Sequence, residues 1–484
     1  MRGMKPRILH VSHSLRGGVE RWLEVFVAAS PQVDNFVLKS IGEQGSFGSQ
    51  LWLHAGADLE QPLRTWTLAP AIAASAVSHP GYRQVLAEVL TELGIDGVVV
   101  SSLIGHSLDV LRSPVPTVVV LHDYYPFCSA LHIFFDGVCV ECGEGRLAEC
   151  LRGNPLNDLF ASRDLGEWLV LREAYLEALG LEGVKVVAPS PSVVRHLRQL
   201  APQTAGLEIA VVPHGSDARD RWQGVESRAA EGPLQVVVLG HISPYKGEGL
   251  LREILARLRL PVARFWLVGS GESGRALAGR HVEIVERYDR RHLPEILARI
   301  SPDVGLFLSV VPETFSYTLD ECFAAGIPPV ALRVGSFGDR IEDGVNGFLC
   351  EADAASVVAQ LARLAADRAP LTGVRQELRR RPARPAGDMV ADYVRLLGLP
   401  DVSQQPGVAA DWKGGNPATA AGGGYHLPAG SPLGFAEFLG QVETGTMYHI
   451  RQTRRLGRWQ RAVALRSASA GFRAVRLLMR WVVR

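Results

Sequence analysis

The chain has 484 residues, more than one hydrophobic core ordinarily organises, so two or more domains are expected. With 47% hydrophobic and 21% charged residues it can bury proper cores, and a net charge of +1 speaks against a dedicated nucleic-acid binder. Six cysteines in a chain this long do not make a secreted disulfide framework, and no apolar run of about 18 residues predicts a membrane-crossing helix.

Met1 to Arg7 has basic residues but no apolar stretch of the signal-peptide kind, so a cytosolic location is expected. From there on, short apolar runs ending in Gly, Ser or His alternate with helical patterns, which predicts parallel strands with crossover helices. The first series of strands reads Arg7–Ser12, Asn35–Ser40, Gly97–Ser101, Thr117–His122, Val184–Pro189 and Glu208–Val212. After the first strand, Gly17 and Gly18 open a helix; they suit either close approach of a ligand to the backbone or merely a tight turn. The fourth strand ends in His122-Asp123-Tyr124-Tyr125, and a lone histidine there is as compatible with packing as with a site. An insertion follows with Cys128, Cys139, Cys142 and Cys150, four thiols within 23 residues. They could hold a structural, tetrahedral zinc with no open position, or remain thiols in a packed insertion, or form a redox-labile pair.

Asp217–Pro233 is polar and reads as an interdomain linker. The second series then runs Gln235–Gly240, Arg264–Gly269, Val282–Glu286, Val304–Ser309 and Pro328–Arg333. Its first strand leads into Gly240-His241-Ile242-Ser243-Pro244-Tyr245-Lys246-Gly247, where Lys246 is either a surface lysine or a counter-charge for an anionic ligand at a strand end. Its fourth strand leads into Pro312-Glu313-Thr314-Phe315-Ser316-Tyr317-Thr318-Leu319-Asp320-Glu321. A helix starting near Ser316 would offer backbone N–H groups and a positive dipole end to a diphosphate or sugar hydroxyls. Glu321, more than a turn further in, could accept both hydroxyls of a ribose; the same two glutamates also suit an acidic helix start and a solvated helix residue. Cys322 and Cys350 read as core residues.

A helix near Met389–Leu397 closes the second series, and 400–432, rich in Gly, Ala, Pro and Gln, reads as a flexible linker. The segment 433–484 is basic: Arg451 to Arg484 holds ten arginines and no acid. Phe472, Val475, Met479 and Val482 form one helical stripe beside Arg473, Arg476, Arg480 and Arg484, with Trp459 and Trp481 suited to a lipid interface. An amphipathic helix on an anionic membrane is expected, the rivals being a docking helix and a solvated tail.

With its paired glutamates around Phe315, the Gly326-Ile327-Pro328 strand entry and the lysine loop, the chain resembles glycosyltransferase family 4, the retaining family that includes bacterial polysaccharide and O-antigen enzymes. The resemblance runs from about Arg7 to about Leu399. It implies an α/β GT-B fold of two Rossmann-like, doubly wound domains facing a cleft, an acceptor domain at 1–225 and a donor domain at 232–399, followed by the basic helical tail. It implies that Glu313 lies beside the donor sugar, that Phe315, Ser316, Tyr317 and Thr318 meet phosphate or sugar, and that Glu321 binds the nucleotide ribose. By the same resemblance Gly17 and Gly18 lie under the donor, His122 faces the transferred sugar, and His106 and His214 stand in further cleft-lining loops. The family motif has an arginine where this sequence has His241, so Lys246 carries the diphosphate alone or shares it with a histidine. The expected reaction moves a sugar from a nucleotide-diphosphate sugar to a lipid-linked or polysaccharide acceptor with retention, no metal being required for catalysis. The expected location is the inner face of the plasma membrane, held by the tail and without nucleic acid. A nucleotide-sugar epimerase or hydrolase on the same scaffold, and a non-catalytic polysaccharide-assembly factor, are the alternatives.

Overall fold

In a computed structural model, residues 5–400 are described apart from 16, 43–46, 57–58, 60, 158–159, 161–163, 217–231, 259–261 and 382. The interdomain linker, save its last two residues, and everything expected of the segments 401–484 therefore lie outside the described residues. Contacts divide the chain into two compact units interleaved in sequence. One contains the described residues up to Val119, Gly166–Lys185 and the segment from Val394; the other contains Val120–Leu165 and Val186–Tyr393. A change of composition marks where a chain is polar, whereas these units follow from which residues pack together, and the two divisions need not coincide.

In the first unit six strands run in the order Thr117–Val120, Gly97–Val100, Arg7–His13, Asp34–Ile41, Gln50–Ala55 and Arg64–Thr67. The first four are parallel and the last two antiparallel. The antiparallel pair was not expected: Gln50–Ala55 has a buried apolar run, Leu51-Trp52-Leu53, that the sequence reading passed over, and Arg64–Thr67 has none. The latter is an exposed edge. Gly17, with φ +93°, precedes the helix Gly18–Ala28, and a Cβ at either Gly17 or Gly18 would meet nothing within 4 Å. Beneath this turn Lys39, 1% exposed, is held by Glu20 at 3.0 Å.

The second unit contains a six-stranded parallel sheet in the order Val282–Val285, Ala263–Val268, Leu234–Leu239, Val304–Phe307, Pro329–Leu332 and Phe348–Cys350. Numbered along the chain this is 3-2-1-4-5-6, the order of a Rossmann sheet, and the order reverses between Leu234–Leu239 and Val304–Phe307. Alternation along each strand covers both faces. Val236, Leu306, Val330 and Phe348 pack with Leu251, Ile254, Val357 and Leu361 of the helices Glu248–Arg257 and Ala354–Ala366. Their neighbours Val237, Phe307 and Ala331 pack on the other side with Leu293 and Leu297 of Leu293–Ile300 and with Leu319 and Cys322 of Tyr317–Ala324. Cys322 and Cys350 are thus core residues, and Cys322 fills the space that a Cβ on Gly305 would need, 2.7 Å from its sulfur. Two buried faces need helices on both, and each crossover leaves its loop at the carboxyl ends of the strands. Outside this sheet Ile209–Val211 pairs in parallel with Val186, Val187 and Ala188. Among the described residues no helix is long and apolar enough to cross a membrane.

Candidate functional site at the switch point of the second sheet

Two loops leave the strands that flank the reversal of order, and backbone contacts stitch them together. The strand Leu234–Leu239 ends at Gly240 (φ +99°) and continues through His241 to a short turn, Pro244–Lys246, closed by Gly247 at φ +84°. A Cβ on Gly247 would stand 2.0 Å from the carbonyl oxygen of Leu308, so only glycine lets this loop lie against the end of Val304–Phe307. Val310 N–H donates to Tyr245 O at 3.1 Å, and the Ser309 hydroxyl reaches the same carbonyl at 3.3 Å. Lys246 is thereby set beside Glu313, and its ammonium forms an ion pair with Oε1 of that carboxylate. Burial pushes the Glu313 carboxyl up, but the charge and hydrogen bond of Lys246, helped by Ser309 and His132, hold it below its ordinary value.

The peptide of Glu313 is clamped from behind. Ser336 N–H donates to Glu313 O at 2.8 Å, and a Cβ on Gly335 (φ +58°) would lie 2.6 Å from Glu313 N. Thr314 Oγ1 donates to the carbonyl of His122 at 2.8 Å, which ties the His122 segment to this loop. An aromatic stack follows. The buried His214 ring lies 5.1 Å from His122, 4.6 Å from Phe315 and 5.7 Å from Tyr317, stacked on the last. Burial, and next the neighbouring His122, push His214 well below the ordinary histidine value.

Ser316 takes φ +75°, unusual for a non-glycine residue, and caps the helix Tyr317–Ala324 by accepting from Leu319 N–H at 3.4 Å. Arg340 holds that strained corner. Its guanidinium lies 3.9 Å over the Phe315 ring, donates to Phe315 O at 2.6 Å and Ser316 O at 3.1 Å, and pairs with the buried Asp320. Glu321, one residue on, is buried and pairs with Arg290. Gly240 approaches the methyl group of Thr318, where a Cβ would stand at 3.6 Å. His241 is exposed and lies against Gly271, whose Cβ would be 2.6 Å from its Nδ1.

The structure therefore gathers His241, Lys246, Glu313, Phe315, Ser316, Tyr317, Thr318 and Glu321 on two adjoining loops and one helix start, with His122 joined through Thr314. Gly17 and Gly18 belong to the other unit. His106 is buried, with Nδ1 at 3.1 Å from Tyr82 Oη and Nε2 at 2.7 Å from Ser12 O, a packed role that the strand end did not reveal. Sequence reasoning passed over Arg290, Arg340, His132 and the loop Gly269-Ser270-Gly271. The last carried a signal, two glycines straddling one residue at a strand end; the two arginines carried none, since their partners are distant in sequence. Cys128, Cys139, Cys142 and Cys150 line one cavity, although among the described residues no three His, Cys, Asp or Glu side chains are already gathered as a metal cage.

A Rossmann sheet with charged and aromatic groups at its switch point places the chain in a definite class: it has the α/β fold of the GT-B glycosyltransferases. It matches sucrose-phosphate synthase from Thermosynechococcus elongatus with a TM-score of 0.55 and 16% identity, over 81% of this chain and 98% of that one. It matches HepE from Anabaena, solved in complex with UDP, with a TM-score of 0.51 and 16% identity, over 81% and 99%. More particularly, residues 233–367 match the family model described as Glycosyl transferases group 1. Glycogen synthase from Mycobacterium tuberculosis is 29% identical over 155 residues, 30% of this chain; the chain thus spans little more than a third (36%) of that relative's length.

Proposed function

We propose that the chain is a retaining glycosyltransferase of the family 4 kind, moving a hexosyl group from a nucleotide-diphosphate sugar to a lipid-linked or polysaccharide acceptor. The observation that carries this reading is the meeting of Lys246 and Glu313 at the switch point, beside the start of Tyr317–Ala324 and inside the matched segment 233–367. Open α/β sheets take ligands at such a point, and a helix start offers donors to anionic oxygens. A sugar leaving a diphosphate builds charge on the phosphate, and Lys246 with the helix start is the group of cationic character placed to neutralise it. Glu313, clamped through its own backbone, orients the sugar, and His122 does so from the segment tied to Thr314. Glu321 accepts the ribose hydroxyls while Arg290 pins its carboxylate. For Gly17 and Gly18, whose Cβ positions are open, a place under the donor is what the family 4 resemblance implies.

Lys246→Ala should lower turnover by roughly 100- to 1000-fold, the size of a lost charge-stabilising donor. Glu321→Ala should instead weaken nucleotide-sugar binding by about 10- to 100-fold, the size of a lost charged hydrogen bond. Sugar transfer at the wild-type rate by both variants would sink the assignment. UDP, present in the Anabaena neighbour, is the first nucleotide to try in a thermal-shift panel, since selective stabilisation by one base narrows the donor.

A further inference from the structure

The insertion after His122 is poor in regular structure. From Tyr124 to Gly143 the chain has no helix or strand longer than the single bridge Phe134–Val138, and three non-glycine residues, Leu131, Ile133 and Asp136, lie at positive φ. A loop of this length inside a compact unit needs something other than backbone ladders to hold it. All four of its cysteines turn to a single cavity, walled by Phe134 and Phe135, and none is in a disulfide. Their positions along the chain differ: Cys128 sits near the start of the loop, Cys139 and Cys142 form a two-residue-spaced turn, and Cys150 lies on the helix Glu144–Gly153. Four ligands drawn from the loop's start, its turn and an adjoining helix would close the loop at both ends.

Polar groups reach two of the four sulfurs. Ile133 N–H donates to Cys128 Sγ at 3.3 Å, Asn154 Nδ2 donates to Cys150 Sγ at 3.2 Å, and Ser129 Oγ lies 3.6 Å from the same sulfur. Arg146 also lines the cavity, fastened over the Phe135 ring at 4.2 Å, so a cation stands beside a centre that four thiolates and one divalent ion would leave negative. The sulfurs are not yet gathered as a cage. Tetrahedral zinc with bonds of about 2.3 Å needs sulfurs about 3.8 Å apart, so binding would draw the four thiols together across the cavity they line.

We propose that Cys128, Cys139, Cys142 and Cys150 bind one structural zinc ion through four thiolates. Each thiol gives up its proton to solvent as the metal–sulfur bond forms, and no oxidant is involved. The consequence reaches the candidate site. His132 lies between the first two ligands and stacks on Tyr245, ring centroids 4.7 Å apart, next to Lys246.

The test uses the full chain, purified without chelators, and reads metal before any activity. Elemental analysis should find about one zinc per chain, lost in Cys139→Ser and Cys142→Ser and kept in Cys350→Ser. Because a ligand variant can misfold, the wild-type protein is also stripped and reloaded with cobalt, which should give the visible ligand-field and sulfur charge-transfer bands of a tetrahedral thiolate centre. Zinc far below one equivalent together with no such bands would overturn the proposal, as would a disulfide among these four residues found by mass spectrometry under native conditions. None of these readings depends on sugar transfer, so the zinc site and the proposed reaction can fail separately.

Discussion

Lys246 is shared between two anions in the proposed reaction: the Glu313 carboxylate it pairs with in the structure and the diphosphate it would receive. Removing the first should favour the second. Glu313→Gln is expected to tighten binding of a free nucleoside diphosphate severalfold while lowering sugar transfer; calorimetry and steady-state rates check the two halves, and weaker diphosphate binding would count against the pairing. Asp123 makes a different prediction. Burial raises its carboxyl to about 6 although Tyr125 N–H donates to it at 2.9 Å. The folded protein thus holds this proton at a pH where the unfolded chain, with the ordinary value of 3.8, has released it. Stability should fall as pH rises from about 4 to about 6, by at most about 3 kcal/mol, and Asp123→Asn should flatten that stretch of a denaturation-versus-pH curve. Both residues were visible as polar positions at strand ends. What the sequence did not display was the partner of each.

The loop Gly240–Gly247 and the helix Tyr317–Ala324 show why these elements stand where they do. Gly247→Ala would put a methyl group onto the Leu308 carbonyl and force alanine into a left-handed backbone, so a loss of more than about 2 kcal/mol is expected in chemical denaturation. Gly249→Ala, two residues on in the helix Glu248–Arg257 with nothing within 4 Å of its Cβ, should instead stabilise by about 0.5–1 kcal/mol. The contrast separates glycine needed for approach from glycine merely tolerated. In the first unit Lys39 is buried but its partner Glu20 still meets solvent, 20% exposed; Lys39→Ala is expected to cost about 1.5–3 kcal/mol in chemical denaturation, the size of a lost charged hydrogen bond. Strand and helix positions were legible here because periodicity is local. The left-handed Ser316 was not, since Arg340, 24 residues away, is what pays for its strain.

At the scale of the whole molecule, the tail Arg451–Arg484 remains a reading of the sequence, and we propose that it holds the protein on an anionic membrane. Truncation after Pro432 should abolish flotation with liposomes containing acidic lipid, and high salt should weaken the full chain's binding; flotation unchanged by truncation would refute it. Eleven strands expected from apolar runs appear as strands within a residue or two of their expected ends, and the helix at Tyr317 starts beside its expected cap. Missing were Gln50–Ala55, the polar Arg64–Thr67 and the short Ser75–Ala76, His106–Ser107 and Phe348–Cys350. By itself the sequence determined the alternation of strand and helix, the glycine turns and the chemical types available at each strand end, because these follow from local sterics and hydrophobic period. Only the tertiary structure decided that Glu313 meets Lys246, that Glu321 meets Arg290, that His106 is packed and that four cysteines face one cavity. Those outcomes depend on which strand ends lie side by side, and strand order is set by packing both faces of a sheet, not by any single stretch of chain.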